Sequence, residues 1–304
     1  MMRGLRAYVS QAALLRVAVL MLCAWMCAAC GPQRSSHIVI GAKNFTEQVV
    51  LGELLAQEIE AVTHQPVERR FYLAGSYICH QALLSGRIDG YVEYTGTALT
   101  AILKQPLDRD ADRVLNTVRD LYQKKYQIAV MAPLGFEDTF AMVIRGEDAT
   151  RLHLRTLSDA VALAAQWRLG VGYEFEERPD GLHGLEAAYG LHFNQQPRVM
   201  DLGLLYRALS ERQVDMVAGN STDGPIEALG FTVLADDKHY FPPYQAVPLV
   251  REESLQRWPQ MRTALDRLAG AVTAQEMQAM NNAVDGQHRD VGDVVREFRM
   301  RKKL

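Results

Sequence analysis

Between residues 38 and 100 the chain passes three times through the same pattern, an apolar or alternating run, a short turn and an amphipathic stretch. Residues 38–40, Ile-Val-Ile, read as a buried strand and residues 41–46 as a turn. Residues 47–61 follow as a helix with Val50, Leu54, Leu55 and Ile59 on one face, and Thr46 stands where an N-cap belongs. Residues 66–73 alternate as a second strand, and Ala74-Gly75-Ser76 leads into a helix over Ser76–Leu84. Residues 88–100 supply the third unit. Ile88, Tyr91 and Val92 form its strand, and after Gly96 a helix begins whose first turn offers Thr95 and Thr97. Parallel neighbours need long crossovers, so this pattern predicts an α/β fold with a largely parallel sheet flanked by helices. In such sheets small ligands bind where strands end and helices begin. Residues 88–100, with two tyrosines and two threonines at that junction, are the leading candidate site.

The pattern then breaks and resumes. A helix is expected at 110–125 and a strand at 128–131, followed by Pro133-Leu-Gly-Phe136. A second set of αβ units reads as strands at 140–144, 169–173, 198–200, 214–218 and 231–234. Helices lie between them at 157–165, 184–189 and 204–209. After Phe241-Pro-Pro-Tyr244 come a strand at 246–250 and helices from 252 onward. The proline-marked breaks separate two outer segments from an inner one. If the outer segments build one lobe, two chain crossings join the lobes and the cleft between them is a hinged ligand site.

At 304 residues and 48% apolar content the chain can bury the cores of two lobes. A net charge of -3 and no extended basic stripe give no sign of a nucleic-acid partner; Arg299, Arg301, Lys302 and Lys303 read as the solvated end of a last helix. The first thirty residues differ in kind. Arg3, Arg6 and Arg16 precede an apolar run at 17–29 that is shorter than the roughly 20 residues needed to span a bilayer. Residues 1–29 are therefore expected to be a leader and 30–37 a tether. Cys27-Ala-Ala-Cys30-Gly31 resembles a bacterial lipoprotein cleavage site with Cys30 as the lipidated residue, although Cys27 stands where that pattern usually has leucine. The spacing of Cys23, Cys27 and Cys30 also matches an iron–sulfur motif, but these residues sit in the apolar leader with no glycine-bearing loop, so no metal is expected. Cys79 is left as a small packing residue of its helix.

Six segments carry a resemblance. They are Gly41-Ala-Lys-Asn-Phe-Thr-Glu-Gln48, Cys79-His-Gln-Ala-Leu-Leu-Ser-Gly86, Tyr91-Val-Glu-Tyr-Thr-Gly-Thr-Ala-Leu-Thr100, Pro133-Leu-Gly-Phe136, Ser221-Thr-Asp-Gly224 and Asp236-Asp-Lys-His-Tyr-Phe-Pro-Pro-Tyr244. In this order and spacing the chain resembles the glycine betaine/choline-binding proteins of osmoprotectant ABC importers. The resemblance implies an α/β, two-lobed periplasmic-binding-protein fold of type II with two hinge crossings, each lobe a mixed sheet flanked by helices. Lobe 1 would comprise 38–136 and 242–304, and lobe 2 would comprise 137–241. It further implies a monomer on the periplasmic side, anchored by lipid at Cys30, that delivers a quaternary amine or zwitterion to an ABC permease with a cytoplasmic ATPase and needs no cofactor.

Position by position, the resemblance makes Tyr94 and Tyr244 aromatic-box residues with the Thr97 hydroxyl beside them. It makes Lys43 and Arg178 the groups that meet a carboxylate, and it places two further box positions at Phe140 and Asn220. Asn220 departs from the family, which usually has an aromatic there, and Pro225 replaces an arginine often found after Asp-Gly. Tyr91 and Asp223 are a second tier; by itself Asp223 reads as an N-cap. The chemistry suits rings, because a cation without N–H groups is held by aromatic faces at roughly 0.5–2 kcal/mol each, and a micromolar ligand needs about 8 kcal/mol. The alternatives are a lipid-anchored sensor, a binder of a more polar solute, and an enzyme on the same fold. No nucleophile elbow, phosphate loop or His-Glu-x-x-His pattern supports an enzyme, and Glu174, Glu176 and Glu177 are expected on an extended segment, pointing to opposite faces.

Overall fold

The structure, a computed structural model, describes residues 37–304. The leader at 1–29, the Cys23, Cys27 and Cys30 positions and all but the end of the tether lie outside the described residues. Ten strands follow in chain order: β1 Ile38–Gly41, β2 Val67–Arg70, β3 Gly90–Tyr94, β4 Ile128–Val130, β5 Phe140–Arg145, β6 Leu169–Val171, β7 Arg198–Val199, β8 Met216–Asn220, β9 Phe231–Leu234 and β10 Ala246–Arg251. They form two five-stranded sheets, ordered β2-β1-β3-β10-β4 and β7-β6-β8-β5-β9. In the first, β1 runs parallel to β2 and β3; in the second, β6 runs parallel to β7 and β8. Each sheet receives one antiparallel strand immediately after a chain crossing, β5 in the second and β10 in the first.

Both sheets are covered on both faces, which is why inner strands such as β1, β5 and β8 read as apolar runs, whereas the edge strands β2 and β7 do not. On one side of the first sheet, Ile38 and Ile40 pack with Val50, Leu54, Leu55 and Ile59 of the helix Thr46–Thr63 and with the C-terminal helices. On the other side, Val39, Tyr91 and Val247 pack with the helices Ser76–Leu84 and Ala111–Tyr126, and Cys79 is fully buried among them. Burial pushes the Cys79 thiol up to about 12, so it stays a neutral packing group. Met142 and Ile144 face one core of the second sheet, Ala141 and Val143 the other.

Several local expectations change. Thr46 does not cap its helix: it is the first helical residue, Phe45 holds the cap position, and the Thr46 hydroxyl donates to Asp285. The second strand stops at Arg70 because Tyr72 and Ala74 take left-handed conformations, with φ of 60° and 72°. The strand expected at 169–173 ends at Val171, and Tyr173–Glu177 is a helical turn, so Glu174 and its neighbours are not on an extended segment.

The crossings themselves are hydrogen-bonded to each other. Asp138 N–H donates to the Tyr244 carbonyl at 3.1 Å and Ala246 N–H to the Phe136 carbonyl at 3.2 Å. Thr95 ties this ribbon to the end of β3, since its N–H donates to the Gln245 carbonyl at 3.0 Å and its hydroxyl to the Pro243 carbonyl at 3.1 Å. The lobes meet closely at Gly224, where a Cβ would lie 2.6 Å from the backbone nitrogen of Asn282 in the opposite lobe. Backbone cannot step aside as a side chain can, so Gly224→Ala is expected to keep both sheets but prevent full closure. Small-angle X-ray scattering should give a larger radius of gyration than wild type with an unchanged circular dichroism spectrum. An unchanged radius would show that the contact does not limit closure.

Candidate functional site

The end of β3, the ribbon of crossings, the start of β5 and the turn Tyr173–Glu177 converge on one interlobe cleft. Lys43, Tyr94, Thr97, Phe140, Arg178, Asn220 and Tyr244 all line it. The cleft is small in this conformation, with about 60 Å³ open to a water-sized sphere. At roughly 10–15 Å³ for one water, that is room for a few heavy atoms.

The rings already hold cations. The Arg178 guanidinium carbon lies 4.7 Å from the Phe140 ring centre and 5.7 Å from that of Tyr244, while Lys43 Nζ lies 4.8 Å from that of Tyr94. Phe140 and Tyr244 meet edge to face with centres 5.8 Å apart, and both rings border the Arg178 guanidinium. Neither cation is free, however. Lys43 pairs with Glu93 near the end of β3, and both side chains are buried. Arg178 forms a two-point pair with Asp180, Nε to Oδ1 at 2.9 Å and Nη2 to Oδ2 at 2.5 Å, and Nη1 donates to Thr97 Oγ1 at 3.0 Å. Burial alone would push the Asp180 carboxyl up, but the adjacent Arg178 charge overrides it and holds it below the usual carboxylate range. Tyr244 donates to the same carboxylate at 2.5 Å. Two carboxylates thus stand beside the cations that the sequence resemblance assigns to a ligand's carboxylate.

The second-tier residues sit elsewhere. Tyr91 is fully buried behind the cleft and donates to Glu93 Oε2 at 3.2 Å, so it supports the Lys43 pair and presents no face to the cleft. Asp223 occupies the N-cap position of the helix Gly224–Ala228, yet its side chain does not cap that helix. It accepts instead from the Asn220 N–H at 2.8 Å and from the Tyr206 hydroxyl at 2.6 Å.

Other polar residues that close the cleft were not singled out from sequence. Glu47 accepts from Tyr94 at 2.5 Å, from Thr222 across the lobe boundary, and from Asn281 at 3.1 Å. Asp138 accepts from the Thr222 N–H at 3.3 Å, and Glu174 in one lobe accepts from the Ser76 N–H in the other at 2.6 Å. A carboxylate such as Glu93 inside an otherwise apolar strand is a signal that could have been read, because a buried charge requires a partner. Its partner Lys43 lies fifty residues away and leaves no local trace.

A two-lobed solute-binding protein, closing on its ligand about two hinge crossings, is the class defined by this arrangement. Residues 36–300 match the family model for the substrate-binding domain of ABC-type glycine betaine transport systems, and the chain belongs to that family. It is 33% identical over 293 residues to a glycine-betaine-binding protein of Pseudomonas aeruginosa, covering 91% of each chain. It is 32% identical over 262 residues to an ergothioneine transport permease/ergothioneine-binding protein of Helicobacter pylori, covering 86% of this chain but only 47% of that longer relative. The crystal structure of a glycine betaine/carnitine/choline ABC transporter superposes with a TM-score of 0.73 at 32% identity, over 88% of this chain and 98% of the other.

Burial raises the Glu47, Asp138 and Asp223 carboxyls at the lobe boundary, Asp223 up to about 6. For a carboxyl raised in the folded protein, the linked stability is fully present below its unfolded value near 4 and is lost as pH rises through the folded value. Between pH 4 and 7, thermal unfolding of Asp223→Asn is therefore expected to lack a decline present in wild type, on the order of 2–3 kcal/mol. Parallel midpoint-versus-pH curves for the two proteins would contradict this.

Proposed function

We propose that this chain is the extracytoplasmic solute-binding component of an ABC importer for quaternary-ammonium osmoprotectants. The supporting observation is that Phe140, Tyr244 and Tyr94 carry internal cations at 4.7–5.7 Å from their ring centres inside one closed cleft. Rings that hold a guanidinium and an ammonium at this range can hold a trimethylammonium, which needs no hydrogen-bond acceptor and loses little by leaving water. Arg178 Nη1 gives one N–H to Thr97 and lies 3.9 Å from Glu174 Oε2, and on this reading its other N–H turns to the ligand's polar end. The lobes close on the ligand and open at the membrane to release it to a permease. On this reading lobe 1 comprises 38–136 and 242–304, lobe 2 comprises 137–241, and the monomer is tethered through a lipid on Cys30. Among the described residues no helix is long and apolar enough to cross a membrane. The chemistry is capture and release, with no covalent step.

Isothermal titration of the purified protein with glycine betaine and choline tests the reading. Wild type is expected to bind at least one at micromolar strength, and Phe140→Ala to weaken it by about twofold to thirtyfold, the worth of one ring. Tyr77→Ala, which removes an exposed ring outside the cleft, should change nothing. Absence of binding to every quaternary amine, or an equal effect of both substitutions, would refute the cage.

A further inference from the structure

The two cations that line the cage, Lys43 and Arg178, are more than matched by carboxylates of the protein itself. Lys43 is paired with Glu93 and Arg178 with Asp180, and both carboxylates are fully buried. Glu174, on the cleft wall, adds a third carboxylate, with Oε2 3.9 Å from Arg178 Nη1. A further carboxyl of the lining, Asp138, is pushed toward its neutral form by burial. Three carboxylates therefore face two cations, and the excess charge around the cage is negative.

The donors of Arg178 lead to the same place by geometry. A guanidinium has five N–H groups and holds a carboxylate best through two parallel ones. Asp180 occupies that fork, taking Nε at 2.9 Å and Nη2 at 2.5 Å, and its Oδ2 is held from the other side by the Tyr244 hydroxyl at 2.5 Å. The second N–H of Nη2 faces the Tyr244 oxygen at 3.5 Å, and Nη1 gives one to Thr97 at 3.0 Å. Four of the five are thus engaged. A ligand carboxylate brought to the fifth, on Nη1, would approach Glu174 Oε2, and like charges repel strongly in a site closed to water. A hydroxyl meets no such repulsion, and Asn44, Thr97 and Asn220 in the same lining are neutral partners for it.

We propose that the cleft sorts quaternary amines by net charge: it admits a monocation with a neutral polar end, such as choline, and rejects a zwitterion whose carboxylate meets Glu174, which makes Glu174 a specificity-determining residue. This rests on the aromatic-cage reading and specifies the ligand within it. The probes are choline, glycine betaine and the amide of glycine betaine, which keeps the betaine skeleton without its negative charge, titrated calorimetrically into wild type and Glu174→Gln. Wild type is expected to bind choline and the amide at least about tenfold tighter than glycine betaine. Glu174→Gln keeps an oxygen for the Ser76 N–H, so it should tighten glycine betaine while weakening both monocations, and bring all three to within about threefold. A role only in holding the lobes together would weaken the three ligands alike. Glycine betaine binding as tightly as its amide in wild type, a comparison that needs no variant to fold, would overturn the charge filter and leave the cage standing. Parallel changes for all three ligands in Glu174→Gln would overturn the role given to Glu174. If none of the three bound wild type, the cage itself would fall and the filter with it.

Discussion

The Arg178 guanidinium is the interaction on which the cleft depends. It is a buried cation from the second lobe, laid on the faces of Phe140 and Tyr244, hydrogen-bonded to Thr97 of the first lobe and neutralised by Asp180. A charge at this depth is tolerated only with a well-placed counter-ion and satisfied donors, and removal of one partner from such a pair typically costs 3–5 kcal/mol. Because its partners come from both lobes and from the second crossing, the arginine fixes the relative placement of all three. Lys43 and Glu93 repeat the arrangement under Tyr94. The site is thus pre-organised by internal ion pairs, which lowers the ordering a ligand would have to impose.

Closure is secured by a second set of contacts in which hydrogen bonds to two carboxylates and one backbone carbonyl span the boundary. Thr222 to Glu47, Ser76 to Glu174 and Asn281 to the Thr222 carbonyl each join one lobe to the other. Such bonds are individually modest, about 1–3 kcal/mol, and a set of them can be made and broken as the lobes move. The hydrogen bonds of the ribbon between Phe136 and Ala246 are separate from this set and lie within the crossings themselves.

Much of this was legible in the chain. The apolar triplet at 38–40, the stripe of Val50, Leu54, Leu55 and Ile59, and the junction after Tyr94 each follow from local periodicity, and the structure forms them within a few residues. All the first-tier residues carried by the resemblance border one cleft. What was not legible depends on distant partners. Thr46 looks like a cap until Asp285 is folded against it, and Glu174 looks extended until a helical turn brings it onto the helix Ser76–Leu84. Lys43 and Arg178 look free for a ligand carboxylate because their counter-ions are not readable as such: Glu93 is fifty residues away, and Asp180 needs the backbone bend at Pro179 to face the guanidinium.

The most direct test of the cage is a crystal structure of the protein grown with choline. The trimethylammonium is expected within about 6 Å of the ring centres of Phe140 and Tyr244, with Arg178 still paired to Asp180. Choline seated away from these rings, or Arg178 expelled from them to admit it, would contradict a cage pre-organised by its own internal cations.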